Sequence, residues 1–228
     1  MSQHTKHGCD HIFFIGFLGA GKSTLANIIS GAIPRTSGRL LCNGKEIDAQ
    51  SIQQAQDMGI QTVYQDLALA PDLNVPCNIF LGREIIKQSF FGKLFNILDM
   101  KQMEKISREH LAELGIGLKS MTVPVKSLSG GERQALAVAK AVAWCESVLI
   151  MDEPTAALGA RQQALVYSTM RAAADKDLGV IVISHDIPKM LEVSDRIYIM
   201  RQGEVIANLV SRETNLQTVL SLMLTGKA

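Results

Sequence analysis

The chain has 228 residues, and its 23 Lys and Arg against 22 Asp and Glu leave a net charge of +1. This near-neutral balance argues against a nucleic-acid-binding protein that depends on a broad basic face. A hydrophobic content of 47% with 20% charged residues is typical of a globular chain and excludes a disordered one. No apolar run reaches the roughly 18–20 residues that a membrane-spanning helix needs. The four cysteines form no Cys-x-x-Cys pair, which suits a reduced, cytosolic chain.

Apolar runs and turn signals predict alternating strands and helices along the chain. The predicted strands are 11–15, 60–64, 147–152 and 179–184, with hairpins over 38–47 and 197–209. The predicted helices are 23–30, 99–115, 135–144 and 160–174. This alternation predicts an α/β fold with a mostly parallel sheet flanked by helices.

A different pattern runs from about residue 66 to residue 125, and we interpret it as a mainly helical insert. Asp99 and Gln102 are spaced to cap a helix, and Met103 and Leu111 lie along one side of it. We expect this apolar side to be core rather than a binding groove. The sequence therefore predicts one domain over residues 1–228. Its core comprises 11–65 and 126–228, and a helical subdomain comprises about 66–125.

A glycine-rich segment between the first strand and the first helix fits the pattern GxxxxGK[ST]. Backbone N–H groups in such a loop surround phosphate oxygens, and the helix N-terminus adds partial positive charge. The expected phosphate-binding residues are Gly16, Gly19, Ala20, Gly21, Lys22, Ser23 and Thr24. Lys22 should contact the β- and γ-phosphates, and Ser23 should bind Mg²⁺. The loop alone also fits small-molecule kinases, so the class of protein must be inferred from motifs elsewhere in the chain.

Two carboxylates end the apolar strand 147–152. Ligand-binding groups lie at the carboxyl ends of the strands in an open α/β sheet. We expect Asp152 to bind Mg²⁺ and Glu153 to orient or deprotonate the water that attacks the γ-phosphorus. A kinase that transfers phosphate to a bound alcohol does not need such a water-activating carboxylate there.

A second anion site is predicted where Ser129, Gly130 and Gly131 begin a helix. One nucleotide does not need both phosphate-binding helix ends from a single subunit. A head-to-tail pair of chains would use both, with the phosphate loop from one copy and the Ser-Gly-Gly end from the other.

These motifs, in this order, resemble the ATP-binding subunits of ABC transporters over about residues 12–226. The segment Leu128-Ser-Gly-Gly-Glu-Arg-Gln matches the family signature, and Tyr64-Gln65 resembles the family's Q-loop. Asp152 and Glu153 lie in a segment similar to the Walker B motif, and His185 resembles the switch histidine. The resemblance implies a P-loop NTPase fold that binds ATP and Mg²⁺ and hydrolyses ATP. It implies that Gln65 contacts metal and water, that His185 senses the γ-phosphate, and that the signature acts in trans.

A narrower resemblance is to the ATPases of bacterial simple-sugar importers, the ribose, xylose and fructose group. It rests on Val63-Tyr-Gln-Asp-Leu-Ala-Leu-Ala-Pro-Asp-Leu-Asn-Val and on Asn78-Ile-Phe-Leu-Gly-Arg-Glu. It implies a homodimer, two membrane permease subunits and, indirectly, a periplasmic sugar-binding protein. It also implies a peripheral position on the cytoplasmic face of the bacterial inner membrane.

The region before the first strand is shorter than this family usually has, so the N-terminal antiparallel β part is expected to be truncated. No aromatic residue precedes Phe13, and base–aromatic stacking contributes roughly 1–3 kcal/mol per base. One alternative is therefore an N-terminally truncated remnant with weak or no ATPase activity. A small-molecule kinase is less favoured because of the signature and His185.

Overall fold

The computed structural model describes residues 12–15, 19–42, 44–64, 66–156, 158–176 and 178–226. It divides into two compact units, which are described separately. The first unit comprises Met1–Gln65, Trp144–Pro154 and Ala173–Ala228, and the second comprises Asp66–Ala143 and Thr155–Ala172.

Strands and helices alternate along the described part of the chain. The strands are β1 (Ile12–Ile15), β2 (Leu40–Cys42), β3 (Lys45–Ile47), β4 (Ile60–Val63), β5 (Val148–Asp152), β6 (Gly179–Ile183), β7 (Arg196–Arg201) and β8 (Glu204–Val210). The helices are α1 (Lys22–Ile29), α2 (Ile52–Asp57), α3 (Val75–Ile79), α4 (Phe90–Leu94), α5 (Met100–Glu113), α6 (Gly130–Ala143), α7 (Ala160–Ala174), α8 (Ile187–Val193) and α9 (Leu216–Thr225). Among the described residues, no helix combines the length and apolarity needed to cross a membrane.

The first unit contains a sheet whose described strands follow the order β4-β5-β6-β1-β7-β8. Neighbouring strands from β4 to β7 are parallel, and β8 pairs antiparallel with β7. Central parallel strands are covered on both faces, so their sequences are almost continuously apolar. The predicted α/β fold with a mostly parallel sheet is confirmed. Strands β2 and β3 form a separate antiparallel pair.

Small and branched apolar side chains hold the first helices of this unit against the sheet. A buried cluster joins α1, α2, β4, β5 and β6. Its members are Ala26, Ile29, Ala55, Ile60, Ile150 and Ile183. This packing fixes the start of α1 relative to the carboxyl end of β5, where the sequence predicts the phosphate-binding and acidic residues.

The second unit is helical, with α3, α5 and α6 packed on one another. The predicted cap of α5 is present, because the Asp99 side chain accepts a hydrogen bond from the Gln102 N–H. Met103 and Leu111 are buried, so the apolar side of this helix is core, as expected. The sequence-based division between residues 125 and 126 lies inside this unit, because α6 packs against α3 and α5.

Asn78 organises the loop that leads into α3. Its side chain is fully buried, and its Oδ1 accepts a hydrogen bond of 2.7 Å from the Ala70 N–H. Its Nδ2 lies within hydrogen-bonding distance of the carbonyl oxygens of Ala70, Leu73 and Asn74. One amide side chain thus binds the Ala70 N–H and adds a second donor to three carbonyl oxygens that also accept backbone N–H groups.

Replacing Asn78 by Ala should destabilise the protein by about 3 kcal/mol, because the Ala70 N–H loses its hydrogen-bond partner and three carbonyl oxygens each lose a donor. For a chain of this length, that corresponds to a fall in melting temperature of roughly 6–12 °C. Thermal unfolding followed by circular dichroism measures it. Asn208→Ala is the matched control, since Asn208 is exposed and surface substitutions usually change stability by about 0.5 kcal/mol or less. Equal melting temperatures for the two variants would contradict this role of Asn78.

Candidate functional site

The phosphate loop leads directly into α1. Gly21 occupies the position before the helix in a left-handed conformation, and no side chain caps the first turn. The backbone N–H groups of that turn therefore remain available to a ligand. The Gly203 N–H donates a 3.0 Å hydrogen bond to the Ala20 carbonyl, so the β7–β8 turn supports the loop. Gly16, which the sequence also places in this loop, lies outside the described residues.

Lys22 is buried, with a relative exposure of 6%. Burial lowers the pKa of its ammonium group, and the nearby carboxylates of Glu153 and Asp152 partly oppose that shift. A buried cation beside two acids attracts an anionic ligand more strongly than an exposed one, because water screens the charge less.

A cavity of about 320 Å³ brings the phosphate loop and the acidic pair together in the first unit. Its walls are formed by Gly19, Ala20, Gly21, Lys22, Ser23, Thr24, Asp152, Glu153, Ile183 and His185. The acids arrive at the carboxyl end of β5, and His185 follows the carboxyl end of the neighbouring strand β6. One cavity therefore combines an anion-binding helix end, a cation, two carboxylates and an imidazole.

Glu153 leaves β5 with an unusual backbone. Its φ is +49°, in the left-handed region, and its N–H donates a 2.9 Å hydrogen bond to the Ile183 carbonyl. A non-glycine residue in this region costs about 1–2 kcal/mol, and such strain concentrates at functional sites. The turn directs the carboxylate toward the cavity instead of along the strand.

His185 and Glu153 are in contact. The His185 Nε2 lies 3.0 Å from the Glu153 Oε1, within ion-pairing distance. That oxygen is buried and has no well-aligned hydrogen-bond donor among the described residues, so the contact is a close pair with poor hydrogen-bond alignment. A carboxylate oxygen with unused acceptor capacity can bind a water or accept a proton.

The pKa of Glu153 is raised above its ordinary value of 4.5. Burial is the main cause, and Asp152 adds to it, while His185 and Lys22 act in the opposite direction. A carboxyl group with a raised pKa is a stronger base than a solvated one, which suits proton abstraction near neutral pH.

The raised pKa also predicts how Glu153 affects stability. Well below pH 4.5 the carboxyl group is protonated in both folded and unfolded chains and contributes nothing. Above the folded-state pKa it is ionised in both, and the folded state bears the larger cost of burying that charge. Glu153→Gln should therefore raise the melting temperature of the nucleotide-free protein near neutral pH, by on the order of 1–2 °C because solvent screens the group. This advantage should disappear on acidification below pH 4.5, and scanning calorimetry across that range measures it. A constant difference at every pH would contradict the assignment.

The signature segment lies in the second unit, at the start of α6. The Ser129 N–H donates to the Glu132 carboxylate at 2.8 Å, and the Glu132 N–H donates to the Ser129 hydroxyl at 3.3 Å. This reciprocal capping box fixes the first turn of the helix. Hydrogen bonds from Ser129 also lower the pKa of Glu132, so its carboxylate remains charged. The Arg133 side chain donates a 2.8 Å hydrogen bond to the carbonyl of Leu128, the residue before Ser129.

Gly131 is required here by the close approach of α7. A Cβ at this position would lie 2.6 Å from the Cβ of Gln162, closer than side chains approach one another. Gln162 also accepts a 3.2 Å hydrogen bond from the Gly159 N–H. A second cavity of about 450 Å³ is lined by Gly117, Ser129, Gly131, Glu132, Arg161, Gln162 and Leu165.

The segment after Gln65, at the start of the second unit, has a strained backbone and is held by a hydrogen bond to α6. Leu67 and Ala68 both have positive φ values, of +61° and +45°. The Lys140 Nζ donates a 3.0 Å hydrogen bond to the Ala68 carbonyl, and burial lowers the pKa of Lys140. Gln65 itself, the predicted contact to metal and water, lies outside the described residues.

The predicted residues thus form two groups. The cavity of the first unit holds Gly19, Ala20, Gly21, Lys22, Ser23, Thr24, Asp152, Glu153 and His185. The second unit holds Ser129, Gly130 and Gly131 at the start of α6. Sequence reasoning missed the supporting roles of Glu132, Gln162 and Gly203. Of these three roles, only that of Glu132 could have been predicted, from the Ser-x-x-Glu spacing of a capping box.

The fold and the first cavity define the class of protein as a P-loop nucleoside triphosphatase. Comparison with known proteins narrows this class. Residues 6–156 match the ABC transporter family. The fructose import ATP-binding protein of Rhizobium meliloti is 41% identical over 214 residues, covering 93% of this chain and 82% of that protein. The xylose/arabinose import ATP-binding protein of Sulfolobus acidocaldarius is 41% identical over 212 residues, with the same coverage.

Solved structures agree on the fold. An ATP-binding cassette of an ABC transporter in its ADP conformation has a TM-score of 0.75 at 22% identity, covering 96% of this chain and 85% of that one. A dimeric cassette bound to ADP and phosphate in a post-hydrolysis state has a TM-score of 0.70 at 23% identity, covering 89% and 86%. The chain belongs to the ABC transporter family, as one of its ATP-hydrolysing subunits.

Proposed function

We propose that ATP hydrolysis by this subunit drives the import of a simple sugar through a membrane permease. The observation that carries the proposal is the first cavity, where the phosphate loop, Asp152, Glu153 and His185 share one space. The sugar assignment is supported by the names of the relatives, which are fructose and xylose/arabinose import proteins. The particular sugar does not follow, because no residue of the cavity is suited to distinguishing one sugar from another.

In the proposed reaction, Lys22 and the open N-terminal turn of α1 hold the phosphates of ATP. Glu153 takes a proton from the water that attacks the γ-phosphorus. The raised pKa of Glu153 makes it a suitable base for this step. His185, which contacts Glu153, responds to the γ-phosphate. The shared contact means that both residues change their surroundings when nucleotide enters the cavity.

The cavity offers suitable ligands for Mg²⁺. Ser23 supplies a hydroxyl and Asp152 a carboxylate, and both line the same space. Magnesium is usually held by one or two such groups together with phosphate oxygens and water. We assign these two residues, with Gln65, as the groups that would hold it. When bound, the ion would neutralise charge on the transferred phosphate.

The assembly we propose is a homodimer of this chain on two permease subunits, with a periplasmic sugar-binding protein acting indirectly. Ser129, Gly130 and Gly131 of one copy would contact ATP in the phosphate loop of the other. The capping box uses the N–H groups of Ser129 and Glu132, so in this proposal the N–H groups of Gly130 and Gly131 would contact the phosphate. The chain would then lie at the cytoplasmic face of the inner membrane.

A transport assay tests this function. Cells that lack the chain are provided with the wild type or with Lys22→Ala, and uptake of radiolabelled ribose, xylose, arabinose and fructose is measured. We expect one of these sugars to enter only with the wild type. Uptake of all four without the chain, together with normal ATP hydrolysis by the purified protein, would overturn the sugar assignment and leave the ATPase assignment intact.

A further inference from the structure

The segment between α3 and α5 forms a closed loop, residues 85–99, which we name the aromatic loop. Its two ends are joined by backbone pairing. The Asp99 N–H donates to the Ile85 carbonyl at 2.7 Å, and the Lys87 N–H donates to the Ile97 carbonyl at 2.9 Å. Ile86 and Leu98 form an antiparallel bridge between these bonds. The loop therefore has a stem of definite geometry.

The tip of the aromatic loop is the short helix α4, and it is fixed on the stem. The Ser89 hydroxyl caps the helix by accepting from the Gly92 N–H at 3.1 Å. Gly92 is buried, and a Cβ there would collide with the Lys87 carbonyl oxygen. Only glycine allows this close approach, so the backbone of the tip is ordered before any partner binds.

Four large apolar side chains project from this tip. Phe90 is 77% exposed, Phe91 65%, Leu94 61% and Phe95 66%. The Phe91 and Phe95 rings stack 6.5 Å apart with an interplanar angle of 6°, and Phe90 meets Phe91 edge-on at 5.6 Å. A contiguous exposed group of this kind usually marks an interaction surface. Because the rings already pack on one another, little ordering entropy would be lost on binding.

The charge around the tip has one sign. Lys87 and Lys93 are exposed, and neither forms an ion pair with another described residue. No acidic residue occurs between Ile85 and Leu98. The whole chain, by contrast, has a net charge of +1 with nearly equal numbers of acids and bases. Asp99 ends the loop at its stem, so the basic character belongs to the tip and is local.

We propose that the aromatic loop inserts its tip into the headgroup region of an anionic lipid bilayer. The tip combines exposed Phe and Leu side chains with Lys and contains no acidic residue. This composition is typical of segments that lie in the membrane interface. The two ammonium groups would meet lipid phosphates while the rings enter the acyl boundary. Aromatic residues are enriched in protein–protein interfaces but lysine is depleted from them, so the two exposed lysines favour a lipid surface over a protein partner. The proposal does not depend on which sugar is transported.

Cosedimentation of the full chain with vesicles tests the proposal, comparing phosphatidylcholine alone with phosphatidylcholine that contains phosphatidylglycerol. We expect binding to the anionic vesicles and much weaker binding to the neutral ones. Phe90→Ser with Phe95→Ser should lower the partition coefficient by about tenfold or more. Lys87→Gln with Lys93→Gln should lower it by about fivefold for each lysine and remove its dependence on salt. Circular dichroism and ATP turnover of these variants should match the wild type.

The matched control is Leu220→Ser with Leu224→Ser on α9, whose side chains are 39% and 65% exposed. This pair removes exposed apolar surface elsewhere and should leave vesicle binding unchanged. In a second measurement, Phe91→Trp should be quenched by brominated lipid, beyond the signal of the single native Trp144. Absence of binding by the wild type, or equal loss in the control and the Phe variants, would overturn the proposal. The proposal would also be overturned if the wild type did not bind vesicles and the Phe variants lost their association with the permease.

Discussion

Glu153→Gln should lower ATP turnover by about a hundredfold or more, the usual loss when a general base is removed. Glutamine has nearly the same shape, so it can adopt the same left-handed turn after β5. It cannot accept the proton from water, however, and the buried Oε1 of Glu153 is the acceptor placed to do so. Nucleotide binding should survive, because Lys22 and the N-terminal turn of α1 are unchanged.

Phosphate release under saturating ATP measures the turnover, and light scattering shows whether the variant still dimerises with ATP. We expect slow release together with a longer-lived ATP-bound dimer. Glu204→Gln is the control, since Glu204 is an exposed acid in the first unit, at the start of β8. Turnover like that of the wild type in Glu153→Gln would rule out the role assigned to this carboxylate. A loss of ATP binding would show instead that Glu153 mainly supports the cavity.

The two expected effects of this substitution have one origin. Burial raises the pKa of Glu153, which makes the group a better base and makes its ionised form costly to the folded state. The left-handed backbone at the same residue adds strain. The same variant should therefore be more stable at neutral pH and nearly inactive. A stability gain coupled to an activity loss is expected where a catalytic group is held in an unfavourable environment.

The sheet and the phosphate-binding cavity could be predicted because their signals are local in sequence. The apolar run before Asp152 and the glycine-rich loop before Lys22 each identify a strand or helix end, and parallel strands bring those ends to one edge. The α/β fold follows from the alternation of such segments. The described sheet order, with β4 at one edge and β8 at the other, depends on long-range pairing that periodicity does not encode.

Other features depend on contacts between distant segments. Gly131 reads as part of a phosphate-binding motif, but its close approach to Gln162 appears only when α6 and α7 pack together. The segment 90–95 has no helical or strand period, because its side chains face outward and no core selects one. The extent of the second unit could not be predicted from sequence either, because α6 belongs to it through packing against α3 and α5. The predicted lack of an adenine-stacking aromatic falls on residues outside the described part of the chain.

Lys22→Ala and Ser129→Arg should each reduce ATP hydrolysis to near background when measured alone. The first removes the buried cation of the cavity, and the second places a bulky charge at the start of α6. Lys22 lies in the first unit and Ser129 in the second. If each ATP contacts the phosphate loop of one copy and the signature of the other, the two defects affect opposite halves of a shared site.

Mixing the two inactive variants should therefore restore activity. In a mixed dimer, one site combines the intact phosphate loop of the Ser129→Arg chain with the intact signature of the Lys22→Ala chain. The other site carries both defects. Activity should increase with the fraction of mixed dimer, which native mass spectrometry measures directly.

The matched control mixes Lys22→Ala with Glu153→Gln. Both substitutions lie in the same cavity, so each site of that mixed dimer inherits one of them and no activity should return. Recovery in the first mixture but not in the second would separate a shared site from a general benefit of mixing. If neither mixture recovers although mixed dimers form, both halves of the site must come from one chain. The separation of the phosphate-loop and signature residues into different units would then be unrelated to dimerisation.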